Sequence, residues 1–158
     1  VPDVNAFVSG IGTGGTLMGI GKRLKDNNPD SKVFALEPST LSILKMGMEE
    51  GSHMIEGIGD DFIPGIVDED LIDDIVLIDD CDAINMSKRI AQELGLGIGI
   101  SSGANFLASV IMDNDDLKIA TVFPDDNKKY ITTKLSEPID ENPELISNHI
   151  KLIGFEVI

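Results

Sequence analysis

The chain has 158 residues, 42% of them hydrophobic, with a formal net charge of −16. That is one domain's worth of polypeptide, long enough for a core of its own. Such acidity repels nucleic acid and anionic membrane surfaces, and no apolar run approaches the roughly 18 residues that cross a bilayer.

In chain order, Val4–Val8 reads as a β-branched strand and Gly14–Asn28 as a helix, stopped by Asn27-Asn28-Pro29-Asp30. Between them stands Ser9-Gly10-Ile11-Gly12-Thr13-Gly14-Gly15-Thr16. Glycines permit a sharp turn and a close backbone approach, and the unpaired N–H groups of a helix N-terminus favour an anion such as phosphate. Thr13 and Thr16 add hydroxyl donors. The segment therefore reads as an anion cradle. Gly10, Gly12 and Gly15 also satisfy the dinucleotide pattern G-x-G-x-x-G, with Glu37 near the place of a ribose-binding acid. A nicotinamide-binding domain is thus an alternative, and an unliganded turn is another. A Walker loop is excluded, because no Gly-Lys-Ser/Thr closes the segment.

Further on, Val33–Glu37 is strand-like and Pro38-Ser39-Thr40 opens a helix over Leu41–Met48. A loop follows with Gly51, His53 and the segment from Glu56 to Gly65. Ile75–Ile78 is a strand, and Asp80 or Asp82 caps a helix over Ala83–Leu94, whose Ile84, Ile90, Ala91 and Leu94 share one face. Gly95 to Gly103 is a second glycine-rich turn, opening a helix over Ala104–Met112. Ile119–Phe123 reads as a buried strand and Lys128–Leu135 as helical, before a mixed tail broken by Pro138 and Pro143. This alternation predicts an α/β fold, a parallel sheet with flanking helices. Ligands then bind beyond the carboxyl ends of the strands, where Gly10–Thr16, Ile100–Gly103 and Pro124–Asn127 converge.

Cys81 is the only cysteine, so no disulfide closes within the chain and a reducing, cytoplasmic compartment is expected. Its neighbours Asp79, Asp80 and Asp82 disfavour a thiolate. His53 and His149 have no ligand-spaced partners, and the scattered acidic pairs lack calcium-loop spacing, so no metal site is expected. The chain starts at Val1 almost inside a strand, which reads as the later part of a longer protein.

Taken together, these segments resemble the cysteine synthase / cystathionine β-synthase family of fold-type II pyridoxal-phosphate enzymes, in its C-terminal portion. Gly12-Thr13-Gly14-Gly15-Thr16 resembles the family's phosphate loop and Glu37-Pro38 its Glu-Pro after the next strand. Glu56-Gly57-Ile58-Gly59 with Phe62-Ile63-Pro64 resembles the segment lining the substrate side of the cofactor. Gly99 to Ala104 resembles the segment whose first serine, here Ser101, faces the pyridine nitrogen. Pro124-Asp125 through Thr133 resembles the closing motif.

The resemblance implies a tryptophan-synthase-β-like two-domain fold, with residues 1–136 an incomplete C-terminal domain binding pyridoxal 5'-phosphate. Residues 137–158 are then a tail packing on that domain or on a partner subunit. It implies a β-replacement or β-elimination enzyme of cysteine metabolism, a homodimer acting on a small amino acid with sulfide or a thiol. Such an enzyme makes cysteine from O-acetylserine or serine, or runs in reverse and releases sulfide. A serine/threonine dehydratase-like lyase and a non-catalytic phosphate-binding module are the alternatives. A hydroxyl at Ser101 is a neutral partner for the ring nitrogen, suited to β-elimination; its other reading is a helix N-cap.

The family's Schiff-base lysine motif and its Ser/Thr-Gly-Asn carboxylate loop have no match among these residues. The chain alone is therefore expected to be inactive. Asp60-Asp61 stands where many O-acetylserine-using members have small residues after Gly-Ile-Gly, and an acidic residue there resembles the cystathionine β-synthase side of the family. Asp61, ahead of Asp60, is the candidate for handling a hydroxyl or water at the β-carbon.

Overall fold

The computed structural model describes residues 3–48, 50–114 and 116–157; Val1, Pro2, Glu49, Asp115 and Ile158 lie outside them. Four strands, β1 (Ala6–Gly10), β2 (Lys32–Pro38), β3 (Asp74–Ile78) and β4 (Ile119–Ala120), form one sheet in the order β3-β2-β1-β4. Every strand pairing within that sheet is parallel among the described residues. Helix α1 (Gly15–Asn27) packs against β1 and β2, and the short α2 (Ile43–Met46) follows β2. Helices α3 (Asp80–Leu94) and α4 (Ile100–Met112) pack on each other, and α4 lies against β1, β2 and β3.

Strand periodicity divides the core. Ala6, Val8, Phe34, Leu36, Val76 and Ile78 project into the layer shared with α3 and α4. Phe7, Val33 and Ala35 project the other way and meet Leu17 and Met18 of α1. Successive side chains of a strand alternate between faces, so apolar runs covered on both sides are what a buried parallel sheet requires.

Several element boundaries differ from the sequence reading. Strand β1 starts two residues late and continues to Gly10. The cap of α3 is Asp79, whose carboxylate accepts the Cys81 N–H at 2.8 Å, rather than Asp80 or Asp82. Asp82 instead is buried and accepts the Ser147 N–H at 2.8 Å. Helix α4 starts at Ile100, four residues early, because Gly99 occupies the cap. The expected buried strand over Ile119–Phe123 reduces to the half-buried pair Ile119–Ala120. The expected helix over Lys128–Leu135 resolves into two 3-10 turns, Asn127–Tyr130 and Lys134–Ser136.

The chain beyond Pro138 runs back along α3. Lys88 Nζ donates to the Pro138 carbonyl at 3.0 Å, and Asn85 donates to Ser147 Oγ and Asn148 Oδ1. Arg89 donates to the carbonyls of Ser147 and Ile150.

Chain order matters for the site. From β1 the chain passes through α1 to β2 on one side, and returns through α4 to β4 on the other. The carboxyl ends of β1 and β4 thus mark the point where strand order reverses, the usual crevice for a ligand in such sheets.

Candidate functional site

A cavity of about 250 Å³ opens at that point. Ser9 and Gly10 end β1 at its floor, and Gly12 to Thr16 form one wall. Glu56, Gly57 and Ile58 form the second wall, and Val122, Pro124, Asp125 and Lys129 the third. Ser101 and Asn105 of α4 reach in from below the sheet edge.

The glycine wall has the geometry of an anion cradle. Gly14 caps α1 with φ of 82°, left-handed backbone that side-chain-bearing residues rarely adopt. A Cβ at Gly12 would run into the Gly57 carbonyl oxygen, so the two walls touch only because residue 12 has no side chain. The first intrahelical bond of α1 is Met18 N–H to Gly14 O at 2.9 Å. The N–H groups of Gly15, Thr16 and Leu17 therefore precede the hydrogen-bonded ladder and stay available, as the first donors of any helix do. Exposed Thr13 and Thr16 stand beside them.

Ser101 is 4% exposed and occupies the second position of α4, with Gly99 at the cap. The N-cap reading of Ser101 is therefore corrected, and its hydroxyl borders the cavity. Glycine recurs below it for packing reasons. A Cβ at Gly103 would strike the Ser87 hydroxyl and the Ala83 carbonyl, so α3 and α4 approach closely there.

The third wall is polar and cross-linked. Tyr130, 1% exposed, donates its hydroxyl to Asp125 Oδ2 at 2.6 Å. Burial first, and then this bond, pushes the Tyr130 phenol up to about 12. Asp125 Oδ1 is buried without a hydrogen-bond partner. Lys129 Nζ pairs with Glu56 Oε2 at 2.9 Å and lies 5.2 Å from the Tyr130 ring centroid, joining the second wall to the third. The Glu56 carboxylate holds the Lys129 ammonium above its usual value. This network was not legible in the sequence, where Lys129 and Tyr130 stood only as parts of a motif.

Of the residues singled out in the sequence, Gly12, Thr13, Gly14, Gly15, Thr16, Gly57, Ile58 and Ser101 are brought to this one cavity. Gly59 lies just outside it, with φ of 72°; its N–H donates to Ile11 O at 2.8 Å and its carbonyl accepts His53 Nε2 at 3.0 Å. Asp60 borders a separate shallow depression with Phe62 and Ile63. Asp61 is exposed and does not line the cavity. Among the described residues, no group of three or more His, Cys, Asp or Glu is placed to hold a metal ion, and no helix is long and apolar enough to cross a membrane. Cys81 is exposed, and partial burial together with Asp79 pushes its thiol up.

The ribose alternative fails at Glu37. Its carboxylate is buried, accepts the Ser42 hydroxyl, and takes the backbone N–H groups of Ile43, Leu44 and Lys45 at 3.0 to 3.1 Å. All its acceptor capacity is spent on the first turn of α2.

Comparison with known proteins agrees with this geometry. Residues 1–126 match the family model for pyridoxal-phosphate dependent enzymes. Over 135 residues the chain is 38% identical to a cysteine synthase of Staphylococcus aureus, covering 84% of this chain and 43% of that protein. It is 36% identical over 141 residues to O-ureido-L-serine synthase of Streptomyces lavendulae, covering 87% and 43%. The solved structure of a hydrogen sulfide-producing enzyme from Fusobacterium nucleatum superposes with a TM-score of 0.84 at 47% identity, over 92% of this chain and 44% of that one. The chain thus spans less than half the length of these relatives. With a glycine cradle and Ser101 on one cavity at the switch point of a parallel sheet, and a family match across most of its residues, the chain belongs to the pyridoxal-phosphate dependent enzymes.

Proposed function

We propose that this chain is the phosphate- and ring-holding part of a β-replacement or β-elimination enzyme of cysteine metabolism. One observation carries the reading. A helix-end cradle, a buried serine hydroxyl and a glycine-bounded wall face a single cavity where the strand order reverses. The residues fit pyridoxal 5'-phosphate: the cradle tolerates no side chain at Gly12, carries left-handed backbone at Gly14, and offers unpaired N–H groups to a dianion. When bound, that cofactor supplies an electron sink for the substrate's α-carbon.

Each group in the chain has a definite part. Gly12 to Thr16 hold the phosphate through backbone N–H groups and the Thr13 and Thr16 hydroxyls. Ser101 offers the ring nitrogen a neutral hydroxyl and does not force a proton onto it, which suits loss of a β-substituent. Gly57, Ile58 and Gly59 border the substrate and let it approach main chain closely. Asp61 is exposed and outside the cavity lining of this segment; from its place two residues beyond Gly59 it is the proposed handler of the proton at a β-hydroxyl or an attacking water once the rest of the enzyme completes the site. Covalent attachment of the cofactor is assigned to residues outside this segment, since no lysine here has the family's sequence context; the segment alone is then inactive. Residues 1–136 form the cofactor-binding unit and 137–158 its tail. A cytoplasmic homodimer is the proposed setting, supported by the single cysteine and by an exposed apolar edge of Phe62, Ile63 and Ile66.

The relatives' names, a cysteine synthase, an O-ureido-L-serine synthase and a hydrogen sulfide-producing enzyme, support a substrate class of cysteine and serine derivatives, with sulfide as the proposed second substrate or product. The test is product analysis on the full-length protein loaded with pyridoxal phosphate. Cysteine formed from O-acetylserine and sulfide, or sulfide released from cysteine, is expected. Keto acid and ammonia from serine or threonine, with no sulfur chemistry, would identify a dehydratase and overturn the proposal.

A further inference from the structure

The ladder between β1 and β4 stops after two register pairs, Ala6 with Ile119 and Phe7 with Ala120. Its bonding pattern can be extended. The Ala6 N–H donates to Lys118 O at 3.3 Å. Even-numbered residues of β1 thus face β4, since Ile11 N–H already bonds Leu36 O on the β2 side. Advancing both strands by two residues at a time, an unbroken parallel ladder would join the Gly10 N–H to the Val122 carbonyl.

That bond is not made directly. Asn105 stands between the two groups: its Oδ1 accepts the Gly10 N–H at 2.9 Å, and its Nδ2 donates to Val122 O at 2.9 Å. One rung earlier, the Val8 carbonyl accepts the Thr121 hydroxyl at 2.8 Å. A side-chain amide carries one acceptor and one donor group, as a peptide does, so Asn105 acts as an extra peptide unit inserted into the sheet. Its orientation is settled, since an N–H on one side and a carbonyl on the other admit only one way round. The residue is 3% exposed and borders the cavity.

We infer that Asn105 is the positioning residue that opens the site. By replacing one backbone rung with a two-bond bridge, it holds β1 and β4 apart by an amide's width and keeps the crevice between the glycine cradle and the Pro124–Asp125 wall. It also withdraws the Gly10 N–H from the ligand, so the anion-binding donors begin at Gly12. An apolar side chain of similar volume would fill the space but leave both backbone groups unpaired. This inference rests on the phosphate-site reading above only for what occupies the crevice, not for the bridge itself.

The test uses the full-length protein, with and without pyridoxal phosphate. In the wild type, the Gly10 amide is expected to be protected from hydrogen exchange in both states, whereas the amides of Gly15 and Thr16 become protected only with the cofactor. In Asn105→Ala, the cofactor should dissociate about tenfold faster, the effect of losing a buried hydrogen-bonded bridge, and its phosphorus-31 resonance should move. Asn105→Asp, nearly isosteric, keeps the acceptor for Gly10 but loses the donor to Val122, so it should also be impaired; a purely space-filling role predicts wild-type behaviour. A Gly10 amide that exchanges as freely as those of Gly15 and Thr16 overturns the inference, whether or not the variants fold. So do variants with an unchanged phosphorus resonance and dissociation rate. A wild type that retains no pyridoxal phosphate overturns the functional reading, while Gly10 protection still decides the bridge.

Discussion

The Glu37 carboxylate accepts the Ser42 hydroxyl at 2.6 Å, with both residues buried, and thereby fastens the end of β2 to the start of α2. Helix α2 is only four residues long, too short to persist on its own hydrogen bonds. Glu37→Gln places an amide N–H₂ against some of the donors that the carboxylate now satisfies. The expected loss is about 2 kcal/mol of stability, read from denaturant unfolding. An unchanged midpoint would show that α2 is held by something else.

Gly12 is the point where the cradle touches the wall formed by Glu56, Gly57 and Ile58. Gly12→Ala should separate the two, since the added Cβ would meet the Gly57 carbonyl oxygen, a backbone atom that can yield only if the arc carrying it shifts. Retention of pyridoxal phosphate by the full-length protein should fall by about tenfold or more, for a stability cost of about 1–3 kcal/mol. Equilibrium dialysis and thermal unfolding measure the two effects separately.

Tyr130 supplies a pH-dependent contribution. Its folded-state value, pushed up to about 12, lies above the ordinary 10.0. Stability from the protonated phenol is therefore complete below the ordinary value and is lost as pH rises through the folded one. Tyr130→Phe keeps the ring but removes the bond to Asp125, which should cost about 1 kcal/mol at neutral pH. The variant should also lack the alkaline loss expected of the wild type. Tyr130 is the sole tyrosine of these 158 residues, so the difference in tyrosinate absorbance between the two proteins reports its titration. A midpoint at the ordinary value would refute the buried assignment.

Asp61→Ala in the full-length enzyme should depress turnover of serine-linked substrates by about tenfold or more, the scale of a lost general acid or base. Turnover of O-acetylserine, whose leaving group needs no proton, should change far less. Equal losses with the two substrates would remove Asp61 from the chemistry.

The parallel sheet and the cradle were legible in the sequence because both rest on local patterns. Val33 to Leu36 is apolar at every position, as a strand covered on two faces must be, and Gly12 to Thr16 stands between a strand and a helix. Glu37 shows where local reading ends. Its spacing from the glycines suited a ribose acid, but its partners five to eight residues on were invisible until the chain folded back. Ser101 was placed before its helix because Gly99 leaves no capping side chain to mark the start. Asn105 reads as an ordinary helical residue; its two partners lie 95 and 17 positions away, and no periodicity connects them.

Ser87 lies within hydrogen-bond distance of both the Ala83 and Gly99 carbonyls, in the space that a side chain at Gly103 would need. That contact fixes the sliding register of α3 against α4, and so the height of Ser101 relative to the sheet. Ser101 and Asn105, which border the cavity, are thereby carried on one packed pair of helices. By contrast, the arc from Glu56 to Gly59 is tethered through Ile11, His53 and Lys129. Its glycines at positive φ can re-aim the chain without moving a helix. Breathing on the timescale of substrate entry is therefore expected in that arc, with the cradle acting as the anvil against which it closes.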